Sequence, residues 1–153
     1  DFGRGSVMGF EDDLRRGVAV EDDLLVRLRS VFPNARRAEG LHPEFDIEIP
    51  ELQKTVEVKF DPMSQKTGNI VIEYYHNKPS AFSVSIADYW VIDTGIKASW
   101  FSRQEIFECI VCESIDPVRI TGTTDRCPKW VFLIPKGVLT RYSNAALAAR
   151  REA

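Results

Sequence analysis

The chain has 153 residues, 44% of them hydrophobic and 28% charged, with a formal net charge of -3, which predicts one soluble globular domain. No apolar run reaches the roughly 20 residues of a membrane span and no apolar leader opens the chain, so we expect no membrane partner and a cytoplasmic, intracellular location. The slight acidic excess argues mildly against nucleic-acid binding, which usually needs a basic surface, although clustered lysines can still provide one.

The first part of the chain predicts one long helix. We expect residues 1–9 to be a flexible N-terminus or a remnant of cloning. Apolar residues follow helical spacing from Gly9 to Phe32, and Pro33 ends the pattern. The repeating positions are Val20, Leu24, Leu28 and Val31.

Glu21 is an acidic residue on the packed side of this predicted helix. It precedes Leu24 by three residues and Leu28 by seven, so it lies on the side of the helix that packs on the rest of the protein. A carboxylate there is costly unless a cation or hydrogen bonds receive it. The alternative, equally supported, is an acid in the first helical turn that only favours the helix dipole.

Two short strands joined by a turn are predicted between Pro43 and Phe60. Successive side chains of a strand point to opposite faces, so Glu57 and Lys59 share a face. If the strands pair as a hairpin, Asp46 lies on that same face. Mg²⁺ prefers carboxylate oxygens, and a neighbouring lysine can hold or deprotonate a metal-bound water. The alternating apolar residues are Phe45, Ile47, Ile49, Val56, Val58 and Phe60.

Asp46, followed by Glu57, Val58 and Lys59, resembles the core motif of the PD-(D/E)XK nuclease superfamily. This superfamily includes many restriction enzymes, phage nucleases and Holliday-junction resolvases. The chain departs from the family pattern at Pro43, which stands three residues before Asp46 and not directly before it.

The resemblance covers roughly residues 10 to 95, and its downstream part is similar to small phage-type nucleases. It implies an α/β (α+β) fold in which helices flank a mixed central β-sheet, the restriction-endonuclease-like core. Residues 10–153 would form a single nuclease domain. The helix that contains Glu21 corresponds to the first helix of that fold, which often supplies an additional acid.

The function that the resemblance implies is a Mg²⁺-dependent endodeoxyribonuclease in which Mn²⁺ can substitute. Asp46, Glu57 and the carbonyl of Val58 would bind the cation, and Glu21 would bind it through water or at a second site. Lys59 would position the attacking water and stabilise the developing charge. DNA is the implied partner, and a homodimer is a further expectation because many relatives act as dimers.

The segment after the hairpin contains the candidate nucleic-acid contacts. Residues 61–68 form a polar loop with Pro62 and Gly68 as breakers. Because this loop follows the catalytic strand, Lys66 and Thr67 could reach a phosphate, although a plain connecting loop is equally supported. Lys78 is a further candidate for a phosphate contact.

A third strand is predicted for residues 69–76, with Ile70, Ile72 and Tyr74 on one side. Glu73 points to the other side. Its place in the resembling motif suggests that it orders the site through a neighbouring residue, and a purely structural acid is the alternative.

The remaining segments complete an α/β pattern. Ser102 and Glu105 predict a capping box at the start of a helix that continues to Cys112. Whether the turn from Gly122 to Asp125 approaches DNA is left open. The other predictions are a short helix or tight loop at 80–85, strands at 87–94, 119–121 and 130–134, and a terminal helix from Asn144.

Three cysteines, an odd number, favour a reducing compartment. Cys109 and Cys112 form a C-x-x-C pair, which raises zinc or redox chemistry. Only His42 and His76 could complete a zinc site, so we favour buried thiols in a packed helix.

Two further classes of function stay open on sequence alone. One is a non-catalytic module that keeps the nuclease fold for nucleic-acid or protein contacts. The other is a structural phage or plasmid protein with no nucleic-acid role. Degenerate nucleases usually lose an acid or the lysine, whereas this chain keeps Asp46, Glu57 and Lys59, which favours the enzyme.

Overall fold

Within residues 5–40, 45–121 and 127–144, which a computed structural model describes, the chain forms eight strands in two sheets and four α-helices. The helices are α1 (Gly5–Arg29), α2 (Ser64–Thr67), α3 (Arg103–Cys112) and α4 (Lys136–Thr140). The strands are β1 (Arg36–Arg37), β2 (Ile47–Ile49), β3 (Lys54–Phe60), β4 (Asn69–His76), β5 (Tyr89–Asp93), β6 (Ala98–Ser102), β7 (Pro117–Ile120) and β8 (Lys129–Pro135).

The first sheet is mixed and has the order β1-β2-β3-β5-β6. The predicted hairpin is present: β2 and β3 pair antiparallel, with Ile47 opposite Val56. A 3-10 turn at Pro50–Leu52 and a left-handed Gln53 connect them. Strand β3 then pairs parallel with β5, which makes the sheet mixed as predicted.

Helix α1 covers one face of this sheet. Leu25 and Leu28 of α1 share a buried cluster with Ile47, Val56 and Val91. The helix begins at Gly5, four residues before its predicted start at Gly9. Val56 and Val58 of β3 pack in this cluster, so Glu57 and Lys59 face the other side of the sheet.

The second sheet is antiparallel, with the order β4-β8-β7. The predicted third strand is present as β4, but it does not join the central sheet. The reason is a partner far along the chain: Ile70 pairs with Ile134 and Ile72 with Phe132. Ile70 and Ile72 pack in a buried cluster with Trp90 of β5, so the second sheet lies on the face of the first sheet opposite α1.

Several smaller predictions have clear outcomes. The capping box of Ser102 and Glu105 is confirmed, and a short 3-10 turn lies at Ala81–Ser83. Strands β1 and β6 were not predicted. The loop 122–125 and the terminal helix lie outside the described residues. No helix among the described residues is long and apolar enough to cross a membrane.

Candidate functional site

The hairpin brings Asp46 next to the strand that carries the other motif residues. Asp46 stands one residue before β2, and its N–H donates to the carbonyl of Val56 at 2.9 Å. Its carboxylate Oδ2 accepts the main-chain N–H of Val58 at 2.7 Å. Because Ile47 pairs with Val56, the register places Asp46 opposite Glu57, and residues directly opposite in a hairpin share a face.

Glu57 is the most perturbed acid of this group. Burial, followed by the negative charges of Asp46 and Glu21, raises the pKa of Glu57 to about 8, against a smaller opposing effect of Lys59. Burial is also the main cause that raises the pKa of Asp46 and the pKa of Glu21. Three acids from α1, the start of β2 and β3 therefore act on one another, and a nearby positive charge lowers their pKa values.

Arg37 of β1 provides part of that positive charge. Its guanidinium lies 3.5 Å from Glu21 Oε2 and forms an ion pair with Asp22. The same guanidinium acts to lower the pKa values of Glu21 and Asp46, although burial outweighs this effect. Arg37 was not identified from the sequence as a residue of the site. The only sequence signal for it is its position shortly after the predicted helix.

Lys59 of β3 faces the second sheet. Its register partner Ile92 belongs to the cluster shared by both sheets. Burial lowers the pKa of Lys59, against the nearby negative charges of Asp61, Glu73 and Glu57. The Lys59 side chain is half-buried, and its ammonium lies in a desolvated environment.

Glu73 of β4 completes the surroundings of Lys59. Its carboxylate accepts the Ser80 hydroxyl at 2.9 Å and pairs with the ammonium of Lys129 at 3.4 Å. Since the charge of Glu73 also acts on Lys59, the structure places Glu73 beside the lysine. The effect on Lys59 fits the interpretation that Glu73 orders the site through a neighbouring residue. The contacts with Ser80 and Lys129 fit the alternative, a structural acid.

Asp61 is a buried acid that sequence reasoning placed in a polar loop. It is only 6% exposed, and its Oδ2 accepts the N–H of Val71 at 3.0 Å. Its own N–H donates to the carbonyl of Asp93 at 2.8 Å. Asp61 therefore ties the end of β3 to β4 and β5, and no sequence signal distinguishes it from other loop acids.

The oxygen atoms of the site suit a hard cation, but they do not form a complete coordination shell. Among the described residues, no group of three or more His, Cys, Asp or Glu side chains is positioned to hold a metal ion. The predicted direct ligands are only two carboxylates and one carbonyl, a set to which Mg²⁺ would add several waters. Strand geometry turns the N–H and C=O of Val58 to the same side, so its carbonyl points toward Asp46.

The predicted nucleic-acid contacts do not form one surface. Thr67 Oγ1 accepts the N–H of Asn69 at 3.2 Å and donates to the carbonyl of Met63 at 3.3 Å, which ends α2. Lys66 is exposed in α2, whereas Lys78 is exposed beyond the other end of β4. The eight residues of β4 span about 23 Å, so the two lysines cannot hold the same phosphate.

The C-x-x-C pair does not form a disulfide, and its two thiols have different environments. Cys109 is buried in the core, whereas Cys112 is exposed. The prediction of buried thiols is confirmed for Cys109 and wrong for Cys112, because α3 turns its last residue to solvent. Burial raises the pKa of Cys109 to about 11.

Comparison of the chain with protein-family models, with curated proteins and with solved structures found no match. Support for a function must therefore come from the chemistry and geometry of the site itself.

Proposed function

We propose that this chain is a Mg²⁺-dependent endodeoxyribonuclease with a restriction-endonuclease-like core. The observation that carries the proposal is the mutual repulsion and burial of Glu57, Asp46 and Glu21, which raises the pKa of Glu57 to about 8. Partly buried acids that repel one another destabilise a fold, and such perturbed groups are concentrated at functional sites. A cation between them would offset the repulsion.

Each residue has a distinct part in this proposal. Asp46, Glu57 and the carbonyl of Val58 would hold Mg²⁺, with Glu21 bound to it through water, and Mn²⁺ could take its place. The cation supplies positive charge that polarises the scissile phosphate and lowers the pKa of water. Lys59, desolvated beside Glu57, orients the attacking water and stabilises negative charge as it develops.

Two features of the environment support this use of Lys59. Desolvation strengthens the interaction of its charge with a phosphate. The acids Asp61 and Glu73 also oppose the decrease in its pKa, so they favour its protonated form. A homodimer that acts in an intracellular setting is part of the same proposal.

The experiment is a cleavage assay on supercoiled plasmid, nicked duplex and four-way-junction DNA with Mg²⁺ or Mn²⁺. Wild-type protein should cleave at least one substrate, and Glu57→Gln should be inactive. The matched control is Glu108→Gln, an exposed glutamate of α3, which should cleave like wild type. No cleavage of any DNA or RNA by wild type, or equal cleavage by Glu57→Gln, would contradict the proposal.

The second candidate is a non-catalytic nucleic-acid-binding module. The ion pair between Arg37 and Glu21 favours it, because an internal cation can balance acids without a metal. Calorimetric titration with Mn²⁺ separates the two candidates. Binding that Asp46→Asn abolishes supports the enzyme, and no binding to the wild-type protein supports the module.

A further inference from the structure

A cavity of about 540 Å³ lies between α1 and the end of β3. This volume falls within the range of about 300–1,000 Å³ that is usual for ligand pockets. Of the acids described above only Asp61 lines the cavity, and none of the proposed metal ligands does. Its lining consists of Arg16, Gly17, Phe60, Asp61, Pro62, Met63 and Lys66.

Gly17 keeps one wall of this cavity open. The residue lies inside α1, where glycine destabilises a helix relative to alanine. A Cβ atom there would meet nothing within 4 Å, so neither close packing nor an unusual backbone angle requires glycine. A larger residue would instead project from the wall into the open space.

The lining has the chemistry of a site for an aromatic anion. Phe60, Pro62 and Met63 supply apolar contact, and Arg16 and Lys66 supply two positive charges. Asp61 adds one negative charge to this lining, and its Oδ2 accepts the N–H of Val71, so the two cations exceed the acids by one. A nucleotide combines a flat ring that stacks on an aromatic side chain with a phosphate that binds cations.

The cavity adjoins the candidate site along two elements. Gly17 and Glu21 are four residues apart on α1, which places them about 6 Å apart on one face of the helix. Phe60 and Asp61 directly follow Lys59 on the chain. A strand whose phosphate lies at the acids can therefore extend into the cavity.

We propose that this cavity binds one unpaired nucleotide of the DNA strand next to the cleaved bond. The inference rests on the proposed nuclease function for its placement beside the scissile phosphate, and it makes unpaired or branched DNA the preferred substrate. Duplex DNA keeps its bases stacked and paired, so it cannot fill the cavity without extruding a nucleotide.

The test measures binding in EDTA, without any cleavage. The probe is 5′-phosphorylated thymidine dinucleotide, titrated by calorimetry into wild type, Gly17→Leu and Gly17→Ala. We expect Gly17→Leu to weaken binding at least tenfold because its side chain fills the cavity. Gly17→Ala, which adds one methyl group in open space, should stay within about threefold of wild type.

Two further variants test the cavity even if Gly17→Leu does not fold. Lys66→Gln, at an exposed position, should weaken binding severalfold and reduce its dependence on salt. Glu108→Gln, an exposed residue of α3, should bind the dinucleotide like wild type, because Glu108 does not line the cavity. Wild-type protein should also prefer the dinucleotide over a blunt duplex at equal phosphate concentration.

The outcomes separate this inference from the proposed function. No dinucleotide binding, equal binding by Gly17→Leu and wild type, or equal competition by blunt duplex would overturn the cavity site, whatever the cleavage assay shows. Binding that Gly17→Leu and Lys66→Gln weaken would support the nucleotide site even if no DNA is cleaved, in which case only the enzyme proposal fails.

Discussion

The carboxylate of Asp46 accepts the main-chain N–H of Val58 at 2.7 Å. This bond fixes an acid from the start of β2 against the strand that contains Glu57 and Lys59. It also consumes part of the hydrogen-bonding capacity of Asp46, so the acid is positioned before any cation binds. Preorganisation of this kind lowers the cost of assembling a site.

Glu57→Gln should stabilise the metal-free protein at alkaline pH. The pKa of Glu57 is about 8 in the folded chain and about 4.3 when unfolded. Between these values the folded state holds more protons, so stability is full below about pH 4.3 and falls as pH rises through 8. Glutamine removes this loss, so the variant should be more stable by on the order of 2 kcal/mol at pH 8.5, after allowance for solvent screening.

Urea denaturation at pH 4.5 and pH 8.5 measures this effect. The two proteins should differ little at the lower pH, and Glu108→Gln on the exposed side of α3 should match wild type at both. A Glu57→Gln protein that is less stable than wild type at pH 8.5 would show that the acid contributes favourable contacts instead.

Binding of Mn²⁺ should strengthen as pH rises toward 8. The cation needs ionised ligands, and Glu57 is mostly protonated below its pKa of about 8. We expect the affinity to increase by up to about tenfold per pH unit between pH 6 and 7.5, with release of about one proton. Calorimetry in buffers of different ionisation enthalpy counts that proton, and a flat pH profile would contradict Glu57 as a ligand.

Lys59→Met should lose cleavage while it keeps the metal. Methionine fills the volume of the lysine stem in its desolvated position, whereas alanine would leave a cavity. We expect Mn²⁺ affinity within a few-fold of wild type and a cleavage rate lower by about a hundredfold or more. Single-turnover cleavage at saturating metal measures the rate. Lys54→Met, on the same strand, is the control and should cleave at the wild-type rate.

Arg37→Gln should make the protein depend more strongly on a divalent cation. Arg37 supplies positive charge to Glu21 and Asp46, so its loss leaves their repulsion unbalanced. The melting temperature without metal should decrease, and the increase on adding Mn²⁺ should exceed that of wild type. Arg36→Gln, whose residue pairs with Glu48 instead, should respond like wild type. An equal Mn²⁺ response in both variants would show that the charge of Arg37 does not balance the acids of the site.

The cysteines should differ in reactivity toward iodoacetamide at pH 8. The thiolate is the reactive form, and burial raises the pKa of Cys109 to about 11, whereas Cys112 is exposed. We expect rapid alkylation of Cys112 and protection of Cys109 until the protein unfolds. Peptide mass spectrometry after timed quenching gives both rates. Equal rates in native protein would show that α3 opens locally.

The hairpin could be predicted because its information is local. Alternation of apolar and polar residues fixes which side chains share a face, and Ile47 and Val56 meet after a short turn. For Glu21, the spacing from Leu24 and Leu28 indicates its direction on the helix. The alternative of an acid in the first helical turn is wrong, because α1 begins at Gly5.

The second sheet and the surroundings of Lys59 could not be predicted in the same way. Strand β4 pairs with β8 about sixty residues later, and periodicity does not specify a distant partner. Glu73 of β4 and Lys129 of β8 both act on Lys59, so part of its environment depends on that pairing. Arg37 was missed because two-residue strands such as β1 carry no periodic signal.

The separation of Glu73 and Lys129 in the sequence bears on the order in which the protein folds. Both residues act on Lys59, yet they reach it only after β4 and β8 have met across a long chain loop. Local pairing of β2 with β3 needs no such closure, and long-range contacts form slowly. We therefore expect the acids to gather early during folding, while the lysine acquires its desolvated environment late, so that a partly folded chain could bind a cation before it could cleave anything.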